Sequence, residues 1–252
     1  MGYIFNVLKE IQLFSLLFLR AVINVFQKPR YIRDTFQQMD SIGIGSLPII
    51  SLTGFFTGAV LALQSSKTLK SFGAVNLTGQ LVALSLVREL GPVLAALMIA
   101  GRIGSGIASE LGSMTATEQI NAMRALGTDP TRKLVTPRML ATVTMLPLLT
   151  VVCNFWGLVG GWLVSLYKLR ISSSLFWLTS FSSLSYSDLV QSLVKPFFFA
   201  FIISMIGCHC GLSTTGGTQG VGRSTTKSMV LASILVIVAD FFLNTIIIEL
   251  TR

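Results

Sequence analysis

Apolar residues run through this chain in blocks of about twenty, separated by short polar segments. Crossing the roughly 30 Å hydrocarbon core of a bilayer takes about 20 helical residues. Five blocks are long enough, near 46–65, 77–101, 138–166, 189–211 and 227–249. The third is longer than needed and contains Pro147, so a tilt or bend is expected there. Ahead of them, polar Asn6, Lys9, Glu10 and Asn24 alternate with Ile4, Phe5, Leu8, Ile11 and Phe18. That spacing suits a helix lying in the membrane interface. No small-x-small cleavage site follows its apolar core, which argues against a secretory signal. Between the third and fourth blocks, "KLRISSSLFWLTSFSSLSYSD" reads as a short interfacial excursion. The predicted fold is an all-α polytopic membrane protein. An interfacial helix region covers residues 1–40, and five transmembrane helices with a short cytoplasmic helix lie within 41–252.

Composition agrees with this pattern. Of 252 residues, 52% are hydrophobic and 12% charged, against about 25% charged in soluble domains. Mean hydropathy is +0.75. A soluble fold of this length would lack a polar exterior. The net charge of +9 would suit a nucleic-acid partner only if the cations clustered on one soluble face. They follow the loops instead. With the N-terminus inside, twelve cations fall on the inner side (Lys9, Arg20, Lys28, Arg30, Arg33, Arg102, Arg124, Arg132, Lys133, Arg138, Arg223, Lys227) and five on the outer (Lys67, Lys70, Lys168, Arg170, Arg252). That is a positive-inside distribution, and nucleic acid is not expected as a partner. Cys153, Cys208 and Cys210 lie in apolar surroundings and read as small buried hydrophobes.

Several motifs invite a chemical reading. "GTQGVGRS" at 217–224 is close to a phosphate loop, but a true one follows a β-strand. Here an apolar helix precedes it, and a flexible inner loop is expected. The Cys-His-Cys run at 208–210 offers zinc-ligand types, yet adjacent helical side chains diverge by about 100° and His209 is the only histidine. No metal is expected, and no catalytic dyad or triad is apparent. Gly54-x-x-x-Gly58, Gly157, Gly160 and Gly161 read as helix-packing positions.

The longest inner loop contains Thr115-Ala-Thr-Glu118, which fits a capping box. Gly127 suits a left-handed helix end, and Asp129-Pro130 blocks continuation. These signals predict a helix over 116–126 with an apolar stripe of Met114, Ile120, Met123 and Leu126. It is too short to cross a membrane and fits a docking element or an unpartnered interfacial helix.

The sharpest signal is charge inside the spans. Arg88 and Glu89 stand side by side in "LVALSLVRELGPVLAALMIAGRIGSG"; Lys195 falls in the fourth span and Asp240 in the fifth. Each costs about 2.5–3.5 kcal/mol facing lipid, so all four must face protein. Lys195 and Asp240 lie at similar depth with opposite sign, a matched pair. Arg88 and Glu89 are expected on different sides of their helix, each with its own partner or a wet cavity. Such residues serve either as a buried network that fixes helix register or as the lining of a substrate path.

Residues 81–130, "LVALSLVRELGPVLAALMIAGRIGSGIASELGSMTATEQINAMRALGTDP", resemble the signature region of the MlaE-type permease family, the membrane subunits of ABC lipid transporters. The likeness continues through "PRMLATVTMLPLLTVVCNFWGLVGG", "LVKPFFFAF", "GVGRSTTKSMV" and "ADFFLN", about 45–245 in all. The resemblance implies a homodimer paired with cytoplasmic ABC ATPase subunits and a periplasmic MCE-domain protein. This chain itself would bind no cofactor, with ATP and magnesium on the partner. It implies phospholipid as substrate, and residence in a bacterial inner membrane or a plastid inner envelope. By resemblance, the capped helix is the family's ATPase-coupling helix, with Glu118, Gln119, Met123 and Arg124. The family's functional membrane charges fall at Arg88, Glu89, Lys195 and Asp240. Its lipid cavity between protomers maps onto Leu61, Gln64, Leu69, Phe72, Glu89 and Leu90, with Phe72 where tyrosine is common. A different class of function, an ion- or proton-coupled secondary transporter, would use Glu89 and Asp240 as its ion sites.

Overall fold

The computed structural model describes residues 2–26 and 31–250, with side chains from residue 12 onward apart from Phe26, Ile248 and Leu250. Among these residues the chain is helix and turn, with no strand. The helices are α1 (Gly2–Phe26), α2 (Ile32–Ser71), α3 (Val75–Ala116), α4 (Gln119–Ala125), α5 (Thr131–Tyr167), α6 (Ser173–Ser183), α7 (Tyr186–Leu212) and α8 (Gly217–Leu250). Five of them, α2, α3, α5, α7 and α8, are long and apolar enough to cross a membrane. All five exceed the predicted spans; α2 runs unbroken past residue 40.

Two compact units share the chain. The first combines Met1–Ile42, Ile99–Thr144 and Ala200–Val236, and the second combines Gly43–Met98, Met145–Phe199 and Ile237–Arg252. In the second, the predicted glycines bring α2 and α5 into backbone contact. A Cβ on Gly58 would collide with the carbonyl of Gly157, and one on Gly160 with that of Phe55. Without interhelical water to expel, close packing of this kind is what holds membrane helices together. Nearby, Ala62, Val82, Ala83, Leu86 and Leu158 form a buried cluster. The predicted interfacial excursion is α6. Ser172 caps it by accepting from the Leu175 amide at 3.4 Å, and Ser180 donates to the Gly79 carbonyl at 3.1 Å.

In the first unit, the α1 side chains Phe14 and Phe18 meet His209 and Phe201 edge-on, while Leu13, Leu16, Leu19 and Ile23 are exposed. The expected alternation at Ile4, Phe5, Asn6, Leu8, Lys9, Glu10 and Ile11 lies outside the described side chains.

Three expectations need correction. The segment 217–224 is not a flexible loop: two glycines with positive φ, Gly216 and Gly217, turn the chain straight into α8, and Thr214 pairs with Ser224 at 2.9 Å. The capping box does not form either. The Thr115 hydroxyl donates to the Leu111 carbonyl at 2.8 Å, so α3 continues to Ala116. Glu118 adopts φ 60°, a left-handed conformation unusual outside glycine. The loop helix therefore starts at Gln119. Gly127 does take the left-handed conformation, φ 75°. The apolar stripe is broken as well: Ile120 is buried, Met114 and Met123 are half-buried, and Leu126 is 83% exposed.

Candidate functional site

The site begins with a missing proton. A helical residue donates its amide to the carbonyl four positions back. Pro92 has no amide hydrogen, so the carbonyl of Arg88 has no partner from position 92. The backbone there widens into a π-turn over Leu86–Leu90, a distortion that recurs at functional sites. Gly91 keeps the next position clear, because a Cβ there would strike the side chain of Asn154. Asn154 in turn donates to Ser192 at 2.9 Å, tying α5 to α7.

Lys195 of α7 takes the free carbonyl. Its ammonium is fully buried and donates to the Arg88 carbonyl at 2.9 Å and to Oε2 of Glu89 at 2.9 Å. Oδ1 of Asp240 on α8 lies 3.4 Å away. The expected Lys195–Asp240 pair is therefore part of a larger knot. Asn244, one turn beyond Asp240, donates to Glu89 Oε2 at 2.8 Å and to Asp240 Oδ2 at 3.3 Å.

Arg88 finds a partner that the sequence reading missed. Its Nε lies 2.7 Å from Oδ1 of Asp188, and its Nη2 donates to Oδ2 at 3.2 Å. This two-point fork is the strong form of an arginine–carboxylate pair. Asp188 is buried and also accepts from the Ser185 amide at 2.9 Å. Arg88 and Glu89 thus each have a partner of their own, as expected, but both partners come from α7. Their partners Asp188 and Lys195 stand seven residues apart on α7, two turns along one face, and the π-turn lets neighbouring side chains reach both.

The same groups line one cavity of about 490 Å³, within the size range of ligand sites. Arg88, Glu89, Ser185, Asp188, Gln191 and Asn244 are on its wall. The Arg88 side chain is 47% exposed and that of Glu89 44%, whereas Lys195 is at 0%. The signals for the missed residues were present: Asp188 is in register with Lys195, and Asn244 lies four residues after Asp240. The fourth predicted span began one residue too late to include Asp188.

The other predicted site residues lie elsewhere. Leu61 and Leu90 pack, half-buried, on the Ala62–Leu158 cluster. Leu69 is half-buried, Gln64 exposed and Phe72 78% exposed. None of these five lines the charged cavity. On α4 and its cap, Glu118, Gln119 and Arg124 are exposed and Met123 half-buried; Glu118 holds Asn121, and Gln119 donates to Thr117 at 3.0 Å.

Five long apolar helices, three of which line a cavity with fixed charges of both signs, define a multi-pass membrane permease. The particular family follows from sequence comparison. Residues 35–246 match the family model for Permease MlaE, and the chain belongs to that family. It is 40% identical over 236 residues to a "Probable ABC transporter permease protein" of Rickettsia typhi, covering 94% of this chain and 91% of that one. It is 40% identical over 211 residues to the "Intermembrane phospholipid transport system permease protein MlaE" of Haemophilus influenzae, covering 83% and 81%. A chloroplastic protein of Arabidopsis thaliana, TRIGALACTOSYLDIACYLGLYCEROL 1, is 36% identical over 225 residues, 89% of this chain and 64% of that one.

Proposed function

We propose that this chain is the membrane permease of an ABC transporter that moves phospholipid. In this reading two copies form the membrane body, and ATP is hydrolysed on separate cytoplasmic ABC subunits that dock on α4. A periplasmic MCE-domain protein extends the lipid path. The host membrane is a bacterial inner membrane or, as the chloroplastic relative suggests, a plastid envelope.

The observation that carries the reading is the cavity walled by Arg88 and Glu89 within apolar spans of a family permease. A lipid brings a polar head and apolar tails. The charged cavity suits the head, while Leu61, Leu69, Phe72 and Leu90, half-buried or exposed on the single chain, suit tails at a seam between protomers. ATP binding by the ABC subunits would displace α4, and α3, which leads into it, would carry the movement to the π-turn at Leu86–Leu90. Secondary transport through Glu89 and Asp240 is disfavoured because Lys195 sits against both carboxylates.

Purification from native membranes tests the reading. The expected result is copurification of a nucleotide-binding subunit and ATP-dependent lipid movement in reconstituted vesicles. A chain that purifies alone and transports without ATP would overturn it.

A further inference from the structure

Two polar atoms on the cavity wall, adjacent in sequence and opposite in charge, have no partner among the described residues. Arg88 commits Nε and Nη2 to Asp188, which leaves Nη1 without a partner among the described residues on a half-exposed side chain. Glu89 receives both Lys195 and Asn244 on Oε2, which leaves Oε1 without a partner among the described residues. Both side chains line the same cavity. One free site is a cationic donor and the other an anionic acceptor, carried by consecutive residues of a rigid turn.

Charge balance narrows the ligand further. The three carboxylates of Glu89, Asp188 and Asp240 outnumber the cluster's two cations, Arg88 and Lys195, so a ligand with net negative charge meets no surplus positive charge. Lys195 cannot contribute, since its ammonium is enclosed. A ligand that is itself neutral but separated into a phosphate and an ammonium meets both free atoms at once.

Building on the phospholipid reading, we propose that this cavity is a subsite for a zwitterionic aminophospholipid head. Its phosphodiester accepts from Nη1 of Arg88 and its primary ammonium donates to Oε1 of Glu89. Asp188 is a positioning residue: by gripping two guanidinium nitrogens from below, it aims the third into the cavity. Preorganised donors of this kind lose little freedom on binding.

The test uses the full chain, with any subunits that copurify, reconstituted into vesicles of equal phosphatidylethanolamine and phosphatidylglycerol. Mass spectrometry reads the lipids that remain bound after extraction. One charge-assisted hydrogen bond separates the two heads, so about tenfold enrichment of the ethanolamine lipid is expected. Glu89→Gln should bring the ratio close to one while lipid still binds. Asp188→Asn should lower retention of both lipids together. The exchange Arg88→Asp with Asp188→Arg restores an ion pair and serves as the folding control; it should not restore the wild-type ratio. A wild-type ratio near one, or an exchanged pair that selects like wild type, would overturn the subsite and leave lipid transport standing. A wild-type protein that retains neither lipid would instead overturn the transport reading, and the subsite with it.

Discussion

Each of the two units buries a cation, and they do so in different ways. In the first, Arg138 reaches Glu110 at 2.8 Å and the carbonyl of Leu134, in its own helix, at 2.8 Å. Its partner carboxylate is 55% exposed, so the pair joins α3 to α5 at a place where one member is solvated. In the second, Lys195 is wholly enclosed and its contacts come from α3 and α8. The first arrangement is a local tie. The second fixes the register of three helices around a cavity, and it does so with charges that lipid would reject. Buried ionic groups are weak evidence of added stability but strong evidence of what their removal costs. The second unit is therefore where a single charge change should be felt most.

That contrast can be broken or sharpened by experiment. Lys195→Met leaves Asp240 and the half-exposed Glu89 without their cation and takes the ammonium from the Arg88 carbonyl. A loss of about 3–5 kcal/mol is expected, read as a collapse of folded yield and of the thermal transition in detergent. Gly58→Leu pushes α2 from α5 and should cost about 2–3 kcal/mol, the upper range for overpacking; a normal melting curve would show that the contact is not needed. In the first unit, Glu110→Ala should cost less, about 2 kcal/mol, because water can reach the vacated end of Arg138. An effect equal to that of Lys195→Met would erase the distinction between the units. Pro92→Ala restores an amide that competes with Lys195 for the Arg88 carbonyl. About 1 kcal/mol is expected, together with altered lipid retention. Smallest for stability is Arg124→Glu on exposed α4: the melting temperature should stay unchanged while ATPase activity uncouples from lipid movement.

Much of this architecture could be read from residue order. The spans follow from length and hydropathy, and Lys195 and Asp240 could be matched by depth and sign because a helix advances by a fixed rise. Gly127 announced a left-handed helix end by having no Cβ. What escaped was set by tertiary contact. Thr115 had two competing hydrogen-bond partners, an amide ahead or carbonyls behind, and the carbonyls of Leu111 and Gly211 took it. Arg88 and Glu89 could be placed on different sides of their helix with a partner each, but that both partners stand on α7, opposite a π-turn beside Pro92, could not be read from spacing. Asp188 went unnoticed because a carboxylate at a helix start usually needs no explanation; only its enclosed position against Arg88 gives it a role.

The missing amide of Pro92 also bears on how this permease can diversify. Part of Lys195's anchorage is to main chain, and every amino acid supplies a carbonyl at position 88. Exchanging the side chain there would strand the buried Asp188, yet the lysine beneath would keep its main-chain seat. Two separate ties, to Asp188 and to Lys195, meet at one residue, yet they are carried by different atoms.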